Sequence, residues 1–285
     1  MDKSLKNFVE SLDIKVEYNK KINNYVVDVY FPDHKVAIEY NILEEVISKA
    51  KDTDKVISKL MYNKTIECEK TGIQLLHILD FEYKKFEAVW KSVILHKLKL
   101  TQRHVYARKC KIVPITSKQA MAFLNEHHLQ GGLVGSIRIG LALDGELVSV
   151  GVFSKSRYRS KQDNVYEILR FASKPNIIVV GGFSKILKEF KTYVNSPASL
   201  ISYANRRWSI GGVYSATGFQ LEHETAPCYY YSDGKRLYHR SIFQKHKLEK
   251  QLKIYNESNT EVENMYNNDW GRFWDVGTLT YIMKM

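Results

Sequence analysis

The sequence predicts an α/β (α+β) protein in two domains, on three observations. At 285 residues the chain is long enough to build two hydrophobic cores. Apolar stripes at three- and four-residue steps alternate with short runs of strand-forming residues along its length. Charge is uneven: residues 1–104 hold 18 Lys/Arg against 16 Asp/Glu, whereas the remainder holds 25 against 15. A hydrophobic content of 44% with 26% charged residues marks a folded rather than a disordered chain. The net charge of +12 points to a polyanionic partner.

Taken in order, residues 3–12 form a short amphipathic helix with Leu5, Phe8, Val9 and Leu12 on one stripe. The runs 26–31 and 36–41 form a hairpin about Asp33-His34. Residues 54–70 repeat Ile57, Leu60, Met61, Lys64 and Cys68 at helical steps, and Gly72 ends that helix. The near-continuous apolar run Ile73 to Leu79 predicts a strand buried on both faces, where His77 reads as a packed core histidine. Phe86, Val89, Trp90, Val93, Ile94 and Leu98 mark a further helix. Residues 1–100 thus read as one domain, 101–108 as a polar, basic linker, and 109–285 as the second domain. The latter opens with a helix from Ser117 to His127, capped by Ser117. Strands 137–143 and 147–153 flank Asp144-Gly145-Glu146 as a hairpin. A strand from Val165 to Phe171 leads on to Gly181-Gly182 and a helix ending near Tyr193. A strand at 199–204, a short helix at 211–217 and a hairpin about Asp233-Gly234 complete a mixed domain around an antiparallel sheet.

The chemistry-bearing residues cluster in two places. If the first hairpin pairs symmetrically about 33–34, Asp28 falls opposite Glu39. Val27, Val29, Phe31, Val36, Ile38 and Tyr40 then share an apolar face. Two carboxylates opposed on one face repel, and a divalent cation between them relieves the repulsion. The same pair also reads as two solvated acids on a wet face. Lys64 shares a stripe with Leu60, Met61 and Cys68, which aims its ammonium at the sheet or lets it snorkel to water. Glu10, on the first helix, extends the acidic set or stays exposed. In the second half, Arg206-Arg207-Trp208 and a Tyr229-Tyr230-Tyr231 hairpin carrying Arg236 and Arg240 supply cations and rings for nucleic acid. Gly181-Gly182 before a helix suits a pyrophosphate, or is a plain strand-to-helix turn.

Cys68, Cys110 and Cys228 are odd in number and widely spaced, which argues against a disulfide framework or a zinc ribbon. Met1 to Lys6 lacks the apolar core of a signal peptide, and no apolar run approaches membrane-spanning length. The expectation is a soluble cytoplasmic protein.

Asp28-Val29-Tyr30-Phe31-Pro32, Ala37-Ile38-Glu39-Tyr40-Asn41, Asn63-Lys64-Thr65 and Gly72 to Ile78 together resemble phage homing-type endonucleases. These belong to the PD-(D/E)XK superfamily, on its very-short-patch-repair-like branch. The resemblance covers roughly residues 1–100 and implies a restriction-endonuclease-like mixed sheet with flanking helices. It further implies an endodeoxyribonuclease of a phage, working in a bacterial host on double-stranded DNA. Mg²⁺ or Mn²⁺ would sit on Asp28 and Glu39, with Lys64 and Glu10 completing the catalytic set. Ile42 to Val46 stand where that family carries a histidine, which leaves a DNA-binding protein with a degenerate nuclease as an alternative. In the second half, His128 to Gly131, Tyr166 to Phe171 and Tyr203 to Ser209 resemble the carboxy-terminal module of the same proteins, similar to the GNAT-like (Mom-like) acyltransferase fold. That resemblance implies a basic domain positioning DNA through Arg206, Arg207, Trp208, Arg236 and Arg240. Alternatively it implies an acyl-CoA-dependent, nucleic-acid-modifying transferase using Gly181 and Gly182.

Overall fold

A computed structural model describes residues 1–156, 164–194 and 199–285, without the side chains of 49–58. The stripe position Ile57 therefore lies outside the described side chains. The chain runs α1 (Lys3–Glu10), β1 (Glu17–Ile22), β2 (Tyr25–Phe31), β3 (Val36–Asn41), α2 (Leu43–Lys70), β4 (Gln74–Leu79), α3 (Asp80–Lys85) and α4 (Glu87–Lys97). It continues through β5 (Arg103–Tyr106), β6 (Lys111–Pro114), α5 (Ser117–His127), β7 (Ile137–Leu143), β8 (Glu146–Lys155), β9 (Val165–Ser173), β10 (Ile177–Val180) and α6 (Gly182–Tyr193). The last elements are β11 (Ser199–Asn205), α7 (Gly212–Ser215), β12 (Gln220–Glu224), β13 (Tyr229–Ser232), β14 (Leu237–His239), α8 (Lys245–Leu248), α9 (Glu261–Tyr266), β15 (Gly271–Trp274) and β16 (Thr278–Lys284).

Two compact mixed α/β units result, and their boundaries differ from a single break after residue 100. Unit 1 comprises Met1–Lys85, Asn205–Trp208 and Thr225–Thr278; unit 2 comprises Phe86–Ala204, Ser209–Glu224 and Leu279–Met285. The expected linker at 101–108 is no linker. Arg103 to Tyr106 is β5, which pairs in parallel with β10, and Thr101, Val105 and Ala107 are buried. Its polar composition reflects an exposed strand face rather than a hinge.

In unit 1 a four-stranded sheet has the order β1-β2-β3-β4, with β3 and β4 parallel across α2. The β2–β3 register runs Val29↔Ile38, Tyr30↔Ala37, Phe31↔Val36, the register that aligns 28 with 39. Pro32–His34 make a turn of 3-10 helix, and Lys35 closes it in the left-handed region at φ 52°. Val27, Val29, Phe31, Val36 and Ile38 are buried, Tyr40 only partly. The opposite face is not wet throughout: Ala37 packs with Ile22, Cys68, Ile73 and Leu75, because α2 covers it. A second sheet, ordered β14-β13-β15, belongs to the same unit. Phe273 and Val276 share a core with Leu43, Ile47, Met61 and Leu79. A Cβ at Gly271 would lie 2.5 Å from Ile47 Cβ, so only glycine permits that approach.

In unit 2 a seven-stranded sheet has the order β12-β16-β11-β9-β8-β7-β6. It is mixed rather than purely antiparallel, since β9 and β11 run parallel. From α6, Phe183, Ile186, Leu187 and Phe190 pack on Ile139, Leu141, Phe153 and Leu200. From α5, Ala120, Phe123 and Leu124 pack with Val150, Val152 and Ala172. The cap of α5 is Thr116 rather than Ser117. Thr116 Oγ1 accepts from the Gln119 amide at 3.2 Å, and the Gln119 side chain accepts the Thr116 amide in return. No helix among the described residues is long and apolar enough to cross a membrane.

Candidate functional site

The acids singled out in unit 1 come together with Lys64, each with one oxygen engaged. The Tyr40 amide donates to Asp28 Oδ2 at 2.7 Å. Lys64 Nζ donates to Glu39 Oε1 at 2.5 Å and to the Val26 carbonyl at 2.8 Å. Glu39 Oε2 is buried without a hydrogen bond. Loss of hydration therefore raises the Glu39 carboxyl above its ordinary value, while the Lys64 ammonium pulls the other way. Among the described residues no three His, Cys, Asp or Glu side chains group as metal ligands. Glu10 is exposed and 3.9 Å from Lys6 on its own helix; no contact brings it to the pair. His77 is fully buried against Thr65 Oγ1 at 2.7 Å, and burial pushes its pKa down to about 3.

The basic pair placed on nucleic acid by sequence is instead internal to unit 1. Arg207 makes a buried fork with Glu82, Nη1 to Oε2 at 2.9 Å and Nη2 to Oε1 at 2.7 Å. Arg206 Nη2 donates to Glu69 Oε2 at 2.6 Å, and both arginines are 5% exposed, too little to meet a phosphate. Trp208 lies beside the Arg207 guanidinium, 4.8 Å from ring centre to Cζ, and its carbonyl accepts from Gln74. Arg206 and Arg207 are therefore internal braces of unit 1, which corrects their placement on DNA, while Trp208 is half-buried. Arg236 and Arg240 are exposed, resting on the rings of Tyr238 and Tyr229.

Unit 2 holds a different arrangement, in which the pairing of two parallel strands is cut short. The ladder between β9 and β11 stops after Ser199↔Val165, Leu200↔Tyr166 and Ile201↔Glu167, although both strands continue. The cause lies on the other side of β9. There Val152 pairs with Arg170 but Phe153 with Ile168, so Leu169 is an extra residue. Such a bulge bends its strand and adds twist, which carries β9 away from β11. Arg170 fixes the bend: Nη1 donates to the Leu169 carbonyl at 2.7 Å and Nε to the Gly131 carbonyl at 2.9 Å.

The start of α6 lies at this opening. Phe183, in its first turn, meets Phe171 of β9 (centroids 4.9 Å) and Tyr214 of α7 (5.8 Å). The Tyr214 hydroxyl bonds Ser202, the first residue of β11 beyond the ladder; burial raises the phenol's pKa and that bond pulls it back. Gly181 caps α6 at φ 75° with no side-chain hydrogen bond, and no acid stands in the first turn. A Cβ on Gly182 would sit 2.9 Å from Val179 Cγ1, so the turn is tight. The first-turn amides thus have no side-chain cap and lie at the positive end of the helix dipole. Lys185 does not line the opening, since its Nζ donates to the Ala107 and Cys110 carbonyls. Of this set, sequence reasoning found Gly181 and Gly182 and missed Ser202, Tyr214 and the bulge at Leu169. Unit 2 also holds 19 Lys/Arg against 9 Asp/Glu, which is +10 of the chain's +12.

No protein-family profile matches the chain, and no curated protein matches it. Solved structures similar to it include the ribosomal-protein-S18-alanine N-acetyltransferase of Escherichia coli, at 9% identity. That likeness covers 61% of this chain and 93% of that one, with a TM-score of 0.36. A GNAT family acetyltransferase from Elizabethkingia anophelis with acetyl-CoA bound is 11% identical over 62% of this chain and 99% of its own, TM-score 0.36. A Bacillus subtilis acetyltransferase in complex with CoA is 13% identical over 62% and 98%, TM-score 0.34. These neighbours are acetyltransferases and not nucleases, so the expected endodeoxyribonuclease is corrected.

Proposed function

We propose that unit 2 is an acyl-CoA-dependent transferase acting on a polyanionic acceptor of the nucleic-acid class. The observation that carries this reading is the parting of β9 and β11 at a bulge, beneath the uncapped start of α6. Ligands of α/β folds bind at the carboxyl ends of parallel strands where a crossover helix begins. Bound there, an acyl-CoA supplies an acyl group activated as a thioester. The amides of Gly182, Phe183 and Ser184 hold a diphosphate at the helix start. Backbone groups of β9 beyond Glu167 and of β11 beyond Ile201 pair with a ligand arm that carries its own amides, as an added strand would. Phe171 and Phe183 keep water from the inner end of the opening. Tyr214, its phenol held protonated through the neutral range, stands ready to give that proton to a departing thiolate. The +10 charge of the unit favours a polyanionic acceptor.

Calorimetric titration with acetyl-CoA tests the reading, using the whole chain and the variant Ser184→Asp. Ser184 is exposed in the first turn of α6, where an acid favours the helix but repels a diphosphate. The expected outcome is an unchanged or higher melting temperature with about tenfold weaker acetyl-CoA binding. Absence of binding by the parent chain, or equal affinity in the variant, would overturn the proposal.

A further inference from the structure

Unit 1 contains a cavity of about 330 Å³ lined by Tyr229, His239, Arg240, Ser241, Gln244 and Glu261. Its wall mixes acceptors and donors. Glu261 Oε1 accepts the hydroxyls of Tyr231 at 3.0 Å and Tyr229 at 3.3 Å. Among the described residues its Oε2 takes no hydrogen bond and remains for a ligand. His239, which also lines the cavity, commits Nδ1 to Ser241 Oγ at 2.7 Å, and the other ring nitrogen remains to donate or accept. The exposed Gln244 carboxamide has no side-chain partner among the described residues and offers both a donor and an acceptor. The Arg240 guanidinium lies 5.4 Å from the Tyr229 ring centre, and Lys247 Nζ donates to the carbonyl of Ser241 at 3.2 Å.

These groups exclude the simplest ligands. A free anion would meet the Glu261 carboxylate, and a free cation would meet Arg240. The cavity suits a planar heterocycle that donates to Glu261 and accepts from His239 or Gln244, beside the Arg240 guanidinium. Residues 240–253 carry Arg240, Lys245, Lys247, Lys250 and Lys253 against Glu249 alone, a basic run where phosphates on either side of such a heterocycle would lie.

We propose that this cavity takes one unpaired, amino-bearing nucleobase of a single-stranded nucleic acid, with its amino group on Glu261 and its flanking phosphates on Arg240 and Lys247. In a duplex the amino edge is already paired, so the base must come from a single strand or be turned out of the stack. The proposal concerns unit 1 and does not depend on acyl transfer in unit 2.

Fluorescence anisotropy with labelled oligo(dC), oligo(dA) and oligo(dT) octamers, on the full chain without acyl-CoA, tests it. Oligo(dC) or oligo(dA) is expected to bind about tenfold more tightly than oligo(dT). Glu261→Gln is expected to bring the preference to within about twofold. Arg240→Gln should weaken all three alike and lower the slope of log K against log salt by about one. Should Glu261→Gln lose its circular dichroism signature, Gln244→Ala at an exposed position takes its place and is expected to shrink the same preference. Equal binding of oligo(dT), a preference that survives both substitutions, or equally tight binding of a duplex would overturn the proposal.

Discussion

The acid pair of unit 1 and the strand opening of unit 2 are opposite solutions to the same accounting. At Asp28 and Glu39 the charged side chains find partners inside the unit, a backbone amide for one and an ammonium for the other. At β9 and β11 it is the strand ladder that stops short, beside an extra residue at Leu169. Unsatisfied backbone inside a sheet is costly unless water or a ligand completes it. Under the function proposed for unit 2, the interrupted ladder rather than the conspicuous side chains would receive the ligand. The helices repeat the lesson. α5 and α9 close their first turns with capping boxes, whereas α6 begins on a bare glycine.

Three measurements bear directly on this contrast. Arg207→Met leaves the buried Glu82 carboxylate without its fork and should cost unit 1 about 3–5 kcal/mol in urea unfolding. The double variant Arg207→Met with Glu82→Leu should recover most of that loss. A small effect of the single variant would mean the fork is solvated, and unit 1 less closed than described. Next, Tyr214→Phe should lower kcat of acyl transfer by about a hundredfold with little change in KM for acetyl-CoA. A change confined to KM would make Tyr214 a wall rather than a proton donor. The smallest effect belongs to Glu39. Because burial raises its folded pKa, its contribution to stability is present below the ordinary carboxylate range and is lost as pH rises through the folded value. Glu39→Gln does not titrate, so its stability relative to the parent should grow between pH 4 and pH 7, read from urea midpoints. A gap that narrows with pH would show that the Lys64 ion pair outweighs burial.

Local patterns carried much of the fold. The alternation in residues 26–41 foretold both the register and the buried face, because a one-residue slip would have exposed Val29, Phe31 and Ile38 together. Asp144-Gly145, both at positive φ, announced the β7–β8 hairpin. What the pattern could not carry was partnership at a distance. Arg206-Arg207-Trp208 has the composition of a phosphate contact, and only Glu69 and Glu82, more than a hundred residues earlier, turn it into an internal brace. The β13–β15 sheet likewise looked continuous with the second half, since its packing on α2 depends on Ile47 meeting Gly271. β1, rich in Lys, Glu and Asn, gave no apolar alternation to read. A bulge at Leu169 leaves no residue signature, so of the proposed acyl-CoA site only the Gly181-Gly182 turn can be read from sequence, and the strands beside it cannot.

The discontinuity of unit 1 has a consequence for how the chain is made. Residues 1–85 leave the ribosome with the outer edge of β4 bare, because the amide of His77 pairs with the carbonyl of Arg207. Glu69 and Glu82 wait equally long for their arginines. At ordinary rates of translation the delay is on the order of ten seconds, and longer for the 225–278 segment that completes the core. Through that interval the nascent amino-terminal sheet is an open template for any passing strand, and its safety rests with whatever attends the chain during synthesis.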